Sequence, residues 1–296
     1  MIIRILGAAA GGGVPQWNCA CANCMAARRG GLPRMTQSSV AVSADGVHWA
    51  VLNASSDIRA QLTETPALTP AALRGSPVCA VVVTNADVDH IAGLLTLREM
   101  TAFDLFASAE THAVLAANPV FGVLDAGLVA RREIALDAPF SPASGLTVTA
   151  FAVPGKVALF LEKNHGYEMR LGGQTVGLKI SDGRKTAFYI PGCAALPPDL
   201  IARLEDADLL LFDGTVWADD DMVRTGTGAK TGGRMGHMPV SGPGGSMAAL
   251  AGTRLGRRVF IHINNTNPML DPASPERAEL AAAGWEVAQD GTEYRL

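Results

Sequence analysis

The sequence predicts an α/β fold of the αββα sandwich type, two β-sheets packed together with helices outside. Three observations lead there. Short β-rich runs dominate the first half, strands alternate with helical patterns in both halves, and 48% of the 296 residues are hydrophobic against 18% charged, enough to bury a sizeable core. No repeat of fixed period is visible, and residues 1–296 are expected to form one domain.

The opening MIIRILGAAAGGGVP is apolar at first, but Arg4 and the early glycines make it too short for a signal-peptide core or a spanning helix. It reads as an edge or central strand entering a loop. Next, Cys19, Cys21 and Cys24 lie within six residues. Cysteines so close cannot pair comfortably with one another, whereas thiolates spaced C-x-C-x-x-C can converge on one tetrahedral ion. A structural zinc knuckle over residues 17–25 is therefore expected. The runs SVAVSADG and VHWAVLNAS read as a hairpin, because Asp45-Gly46 is a favoured tight-turn dipeptide.

The strand VCAVVVT then runs into TNADVDHIAGL, residues 84–94, with a helical pattern over 90–100. Asp87, Asp89 and His90 thus sit where the carboxyl end of a strand meets a helix, a place where polar groups face a crevice. Further helical patterns cover 110–117, 197–204, 243–255 and 275–283. Strands recur at LTVTAFAV, TVGLKIS, KTAFYI, DLLLFD, RVFIHI and WEVA. The Gly-rich stretch 225–245 contains His237, which a linker does not need, and it reads as a long ordered or substrate-gated loop over the site.

A net charge of −4 with no basic run points away from nucleic acid and from anionic membranes, and toward a small-molecule or peptide partner. No later segment reaches about 18 uninterrupted apolar residues. A soluble, cytoplasmic protein is expected.

At TNADVDH the chain resembles the metallo-β-lactamase superfamily, whose motif is H-x-H-x-D-H at a strand end. In that superfamily the first two histidines and a third farther on hold one metal; the Asp-His pair and a last histidine hold the other. Here Asn85 and Asp87 occupy the first two histidine positions, and Asp89 and His90 match the final pair. Lys156 stands where the middle histidine is expected, although His165, a short insertion later, is a candidate for reaching the cavity. Cys193, in FYIPGC, replaces the bridging aspartate, and His262, in VFIH, keeps the last histidine. The resemblance thus leaves Asp89, His90 and His262. Two imidazoles and one carboxylate leave several positions open on an ion, an arrangement suited to non-haem Fe(II) binding substrate and dioxygen.

Four motifs in order, GGGVPQWNCACANC, TNADVDHIAGLL, GHMPVSG and IHINNTNPML, resemble the branch of the superfamily that makes the cofactor pyrroloquinoline quinone (PQQ). That resemblance implies an iron- and O2-dependent hydroxylase acting on the tyrosine ring of a cross-linked Glu-Tyr precursor, free or peptide-bound, alongside other proteins of the pathway. Asp87, Asp213, His237 and His165 are its candidate catalytic residues. Asp87 would orient a ligand imidazole or bind a substrate amino group. Asp213 would pair with His237 and raise its basicity toward a phenolic proton. Asn265 stands where related phosphodiesterases have a fourth zinc ligand, and Arg170, Arg224, Lys230 and Arg234 are candidates for substrate carboxylates. The alternatives are a metal-dependent hydrolase of phosphodiesters and a non-catalytic PQQ carrier or export factor.

Overall fold

A computed structural model of the chain describes residues 1–162 and 168–296. The chain enters a first sheet through β1 (Ile2–Gly7), β2 (Ser39–Ser43), β3 (Trp49–Leu52), β4 (Val78–Val82), β5 (Phe103–Ser108) and β6 (Val129–Ile134). It builds a second sheet from β7 (Pro139–Phe140), β8 (Thr147–Gly155), β9 (Arg170–Ser181), β10 (Thr186–Ile190), β11 (Leu209–Asp213), β12 (Arg257–Ile261) and β13 (Trp285–Val287). It then returns to the first with β14 (Glu293–Arg295). The orders are β14-β1-β2-β3-β4-β5-β6 and β13-β12-β11-β10-β9-β8-β7. Each sheet is antiparallel on one side, up to β3 and up to β10, and parallel on the other. This is the metallo-β-lactamase architecture, and the opening strand is internal, between β14 and β2.

The period of two along each strand decides what faces the seam. Val40 and Val42, Ala50 and Leu52, and Ala80 and Val82 turn into one core with Phe151, Leu178 and Phe188 of the second sheet. Ala41, Val51, Val81 and Val83 turn outward against Ile91, Leu94 and Leu115. Each such side chain contributes roughly 1.5–3 kcal/mol relative to exposure, so the sandwich rests on these two layers. β11 is buried along its whole length, as a parallel strand covered on both faces must be.

Several local expectations shift. The Asp45-Gly46 connection is a wider loop, because the Asp45 carboxylate accepts from Val47 N, His48 N and Ser43 Oγ and so holds the turn open. The helix expected over 90–100 is α-helical only at Val88–Ile91 and then tightens into a 3-10 segment, Ala92–Arg98. That over 243–255 shrinks to the single turn Ser246–Ala249, whose first N–H groups bond Pro239 O and Val240 O. Glycines at 242, 244, 245 and 252 weaken the helix at both ends. Among the described residues no helix is long and apolar enough to cross a membrane.

The helix Val88–Ile91 is docked by backbone hydrogen bonds as well as by buried Ile91. Ala54 N donates to His90 O at 2.8 Å and Gly93 N to Ala54 O at 2.9 Å. A Cβ on Gly93 would lie 2.1 Å from Ser55 O, so only glycine permits this approach. We expect Gly93→Ala to destabilise the protein by about 1–3 kcal/mol, read as a lower urea midpoint. An unchanged midpoint would contradict this account of how Asp89 and His90 are placed.

Candidate metal centre

Four strand ends converge on one rim. After β4, an Asx turn in which Asp87 N donates to Asn85 Oδ1 at 2.9 Å leads into the helix bearing Asp89 and His90. After β12, His262 takes a left-handed backbone with φ 58°, a conformation that L side chains rarely adopt. The chain is held there because Ile263 N bonds Ala8 O and Ala10 N bonds Ile263 O, which ties the extension of β1 to that of β12. Asp213 ends β11, and His237 comes from the loop that follows the turn Gly232–Met235.

These segments bring Asp89, His90 and His262 together, with one ligand atom from each lying within 4.8 Å of the others. His262 Nε2 is 3.1 Å from Asp89 Oδ2, and His90 Nε2 is 3.8 Å from the same oxygen. His90 Nε2 is buried and has no hydrogen-bond partner among the described residues. A buried polar atom left unpaired is costly, and here it faces a carboxylate and a second imidazole. That donor set fits a divalent ion.

A second grouping, Asp213, His237 and His262, is equally compact but already satisfied. Cys193 N, Thr215 N and the Thr215 hydroxyl all donate to the Asp213 carboxylate, at 2.9, 3.0 and 2.7 Å. Burial opposes ionisation of Asp213, but His237, His262 and Thr215 together hold its pKa below the usual value. An ionised Asp213 needs the proton on His237 Nδ1, 2.7 Å away, which leaves Nε2 with the lone pair.

Thr215 joins the two groups. His262 Nδ1 lies 2.9 Å from Thr215 Oγ1, so that hydroxyl accepts from the ring and directs Nε2 to Asp89. On the other side, Thr84 Oγ1 is 3.4 Å from His90 Nδ1, in a buried chain with Asn53, Tyr189 and Ser38. Sequence reasoning assigned ring orientation to Asp87 and missed both threonines. Thr215 had a signal, its position two residues beyond the strand-end aspartate.

Asp87 lines a polar cavity of about 320 Å³ together with Asp89, His90, His237 and His262. Asn85, Lys156 and Lys230 also line it. Cys193 does not: its thiol donates to Ala195 O, and burial, with Asp213 nearby, pushes its pKa up to about 12. Of the other basic candidates, Arg170 pairs with Glu168, Arg224 with Asp220 and Asp221, and Arg234 with Glu162. His165 lies outside the described residues. A larger hollow of about 440 Å³, lined mainly by apolar groups near Val114 and Leu161, contains none of the clustered donors, so the chemistry belongs to the smaller cavity.

Cys19, Cys21 and Cys24 also converge. Gln16 N donates to Cys24 Sγ at 3.3 Å and Cys21 N to Cys19 Sγ at 3.4 Å, bonds that suit thiolates. The Asn265 amide caps the three sulfurs at 3.2, 3.5 and 3.3 Å. The knuckle fits a metal held by three sulfur ligands, and the Asn265 group that faces them is an N–H donor rather than a fourth ligand.

Residues 48–263 match the family model described as the beta-lactamase superfamily domain. The chain is 59% identical to "Coenzyme PQQ synthesis protein B" of Ruegeria pomeroyi over 100% of each chain. It is 52% identical to the protein of the same name from Rhizobium meliloti, over 99% of this chain and 97% of that one. Zn(2+)-bound PqqB from Methylobacterium extorquens superposes with a TM-score of 0.98 at 53% identity, covering 100% of both chains. A diphosphatase of the PhnP family superposes with a TM-score of 0.67 at 20% identity over 99% of this chain and 96% of that one, a likeness of fold.

Two outcomes are expected. Thr215→Val should weaken divalent-metal binding at the Asp89 site by about 10–100-fold, the usual cost of losing a group that orients a ligand, as read by competition with a chelating dye. The second concerns pH. Burial disfavours the charged form of His262, but Asp89, with Asp213 and Asp87, outweighs it and raises its pKa. Below that raised value a proton occupies Nε2 and competes with metal; as pH rises through it the competition ends. Zn(II) affinity should therefore climb as pH rises through a value above the ordinary histidine range, with release of a proton, measurable by calorimetry in buffers of different ionisation enthalpy.

Proposed function

We propose, from the premise that this chain belongs to the coenzyme PQQ synthesis protein B family of the β-lactamase superfamily, that it is an iron- and O2-dependent hydroxylase of a tyrosine-derived PQQ precursor. The observation that carries the reading is the unpartnered Nε2 of His90 beside Asp89 and His262. These three residues would hold Fe(II). The Cys19, Cys21 and Cys24 knuckle would hold structural zinc.

The other half of the superfamily's clamp is chemically replaced. Asn85, Asp87 and Lys156 line that wall, and Cys193 is a buried thiol bonded to a backbone carbonyl. An ammonium and a neutral thiol do not bind a second cation, so a two-metal hydrolytic displacement has no support here. Bound at Asp89, His90 and His262, Fe(II) supplies activation of dioxygen through its open positions.

The remaining work falls to the chain's own side chains. His237 Nε2, freed by the bond from Nδ1 to Asp213, accepts the phenolic proton, and the buried carboxylate stabilises the imidazolium that results. The phenolate is electron-rich at its ortho carbon. Asp87, on the cavity wall, binds the substrate ammonium.

The test is anaerobic reconstitution with Fe(II), then exposure to labelled dioxygen with the cross-linked Glu-Tyr amino acid and an added two-electron reductant, which takes the second oxygen atom to water, following product mass. Label should enter the product and vanish in His262→Ala. His237→Asn should lower kcat about 10²–10⁴-fold. Absence of label, with zinc-supported cleavage of a model diester, would overturn the reading in favour of a hydrolase.

A further inference from the structure

Lys156 stands at the end of β8, and its side chain is only 9% exposed, yet it lines the cavity that holds the candidate metal ligands. Its stem is fixed by the loop that carries His237. Gly236, at φ 93°, packs so closely that a Cβ there would come within 3.1 Å of Lys156 Cγ. The position of the ammonium is therefore set by the backbone around the site.

The charge on Lys156 is incompletely answered. Its ion-pair partner among the described residues is Glu162, at 3.4 Å. Arg234 holds both oxygens of that carboxylate, at 3.1 and 2.7 Å, in the fork geometry that binds carboxylates best. Lys156 is left with a long contact to Glu162 and one donated bond to Val157 O at 3.2 Å. Among the described residues one N–H remains, and the three side chains together carry one net positive charge. A desolvated ammonium in that state is stabilised by an anion brought into the cavity.

We propose that Lys156, beside the Arg234–Glu162 pair, is a carboxylate-binding subsite of this cavity. It takes a substrate carboxylate in the same cavity as the candidate metal ligands and so helps to orient the aromatic ring there. Lys230, on the same cavity, adds a second positive charge. Paired with Asp87, Lys156 gives the cavity the two charges that recognise an amino-acid zwitterion. The inference rests on the proposed function for the identity of the ligand.

The experiment is calorimetric titration of Zn(II)-loaded protein, which cannot turn over, with the cross-linked Glu-Tyr amino acid. Lys156→Gln should raise Kd about tenfold or more, the cost of one charge-assisted bond, with melting temperature and metal content unchanged; Lys156→Arg should bind within about threefold of the original protein. If Lys156→Gln does not fold, Glu162→Gln decides, because freeing the ammonium from its competitor should tighten binding severalfold and unchanged or weaker binding overturns the subsite. Equal binding by Lys156→Gln, or weakening that comes with lost metal, also overturns it while leaving the proposed activity standing. If the unmodified protein does not bind this ligand, the substrate reading falls, and the subsite with it.

Discussion

The contact between Asp89 of the first sheet and His262 of the second, 3.1 Å across the seam, is the constraint on which the site depends. Each partner arrives by a backbone feature that has no slack. Asp89 sits on one helical turn pinned to residues 53–55, with Gly11 close enough that a Cβ there would lie 3.2 Å from its Cγ. His262 is held in a left-handed conformation by bonds to the extension of β1. Burial raises the pKa of Asp89 on its own account, but His90 and His262 reverse that and hold it low. His90 is pushed the other way, toward the neutral form, by burial. A low carboxylate and a neutral imidazole are the protonation states that ligation requires.

From that contact a polar chain runs through Thr215 to Asp213 and His237. It links the metal-binding edge to the Gly-rich loop, so the proposed base and the proposed ligands share one frame. The same loop packs Gly236 on Lys156. Packing of the two sheets thus places the proposed ligands, the proposed base and Lys156 around one cavity, and Asn85, Asp87 and Lys156 line it where the superfamily has histidines of its second metal position. Fold likeness to a diphosphatase carries no such information.

The double-sheet architecture was legible because period-two patterns in β2, β3 and β4 and the long apolar runs of β11 and β12 leave few other solutions. The edges were not: β6 reads VARREI with its charged residues exposed, and β7 and β14 have only two and three residues, too short for any pattern. Asp89, His90 and His262 could be picked out because a motif ties them to strand ends. Thr84 could not, since a hydroxyl's role depends on which ring nitrogen it meets in space, and Thr215 offered only its place two residues beyond Asp213. Lys156 was noticed only as a missing histidine. Its own meaning needed the Arg234–Glu162 pair, which joins residues 72 positions apart.

Anomalous diffraction at the iron edge, from crystals of protein loaded anaerobically with Fe(II), tests the central claim most directly. The account predicts one iron peak within bonding distance of Asp89, His90 and His262, and none on the wall formed by Asn85, Asp87 and Lys156. A second peak on that wall, or iron bound through Asp213 and His237 instead, would contradict it.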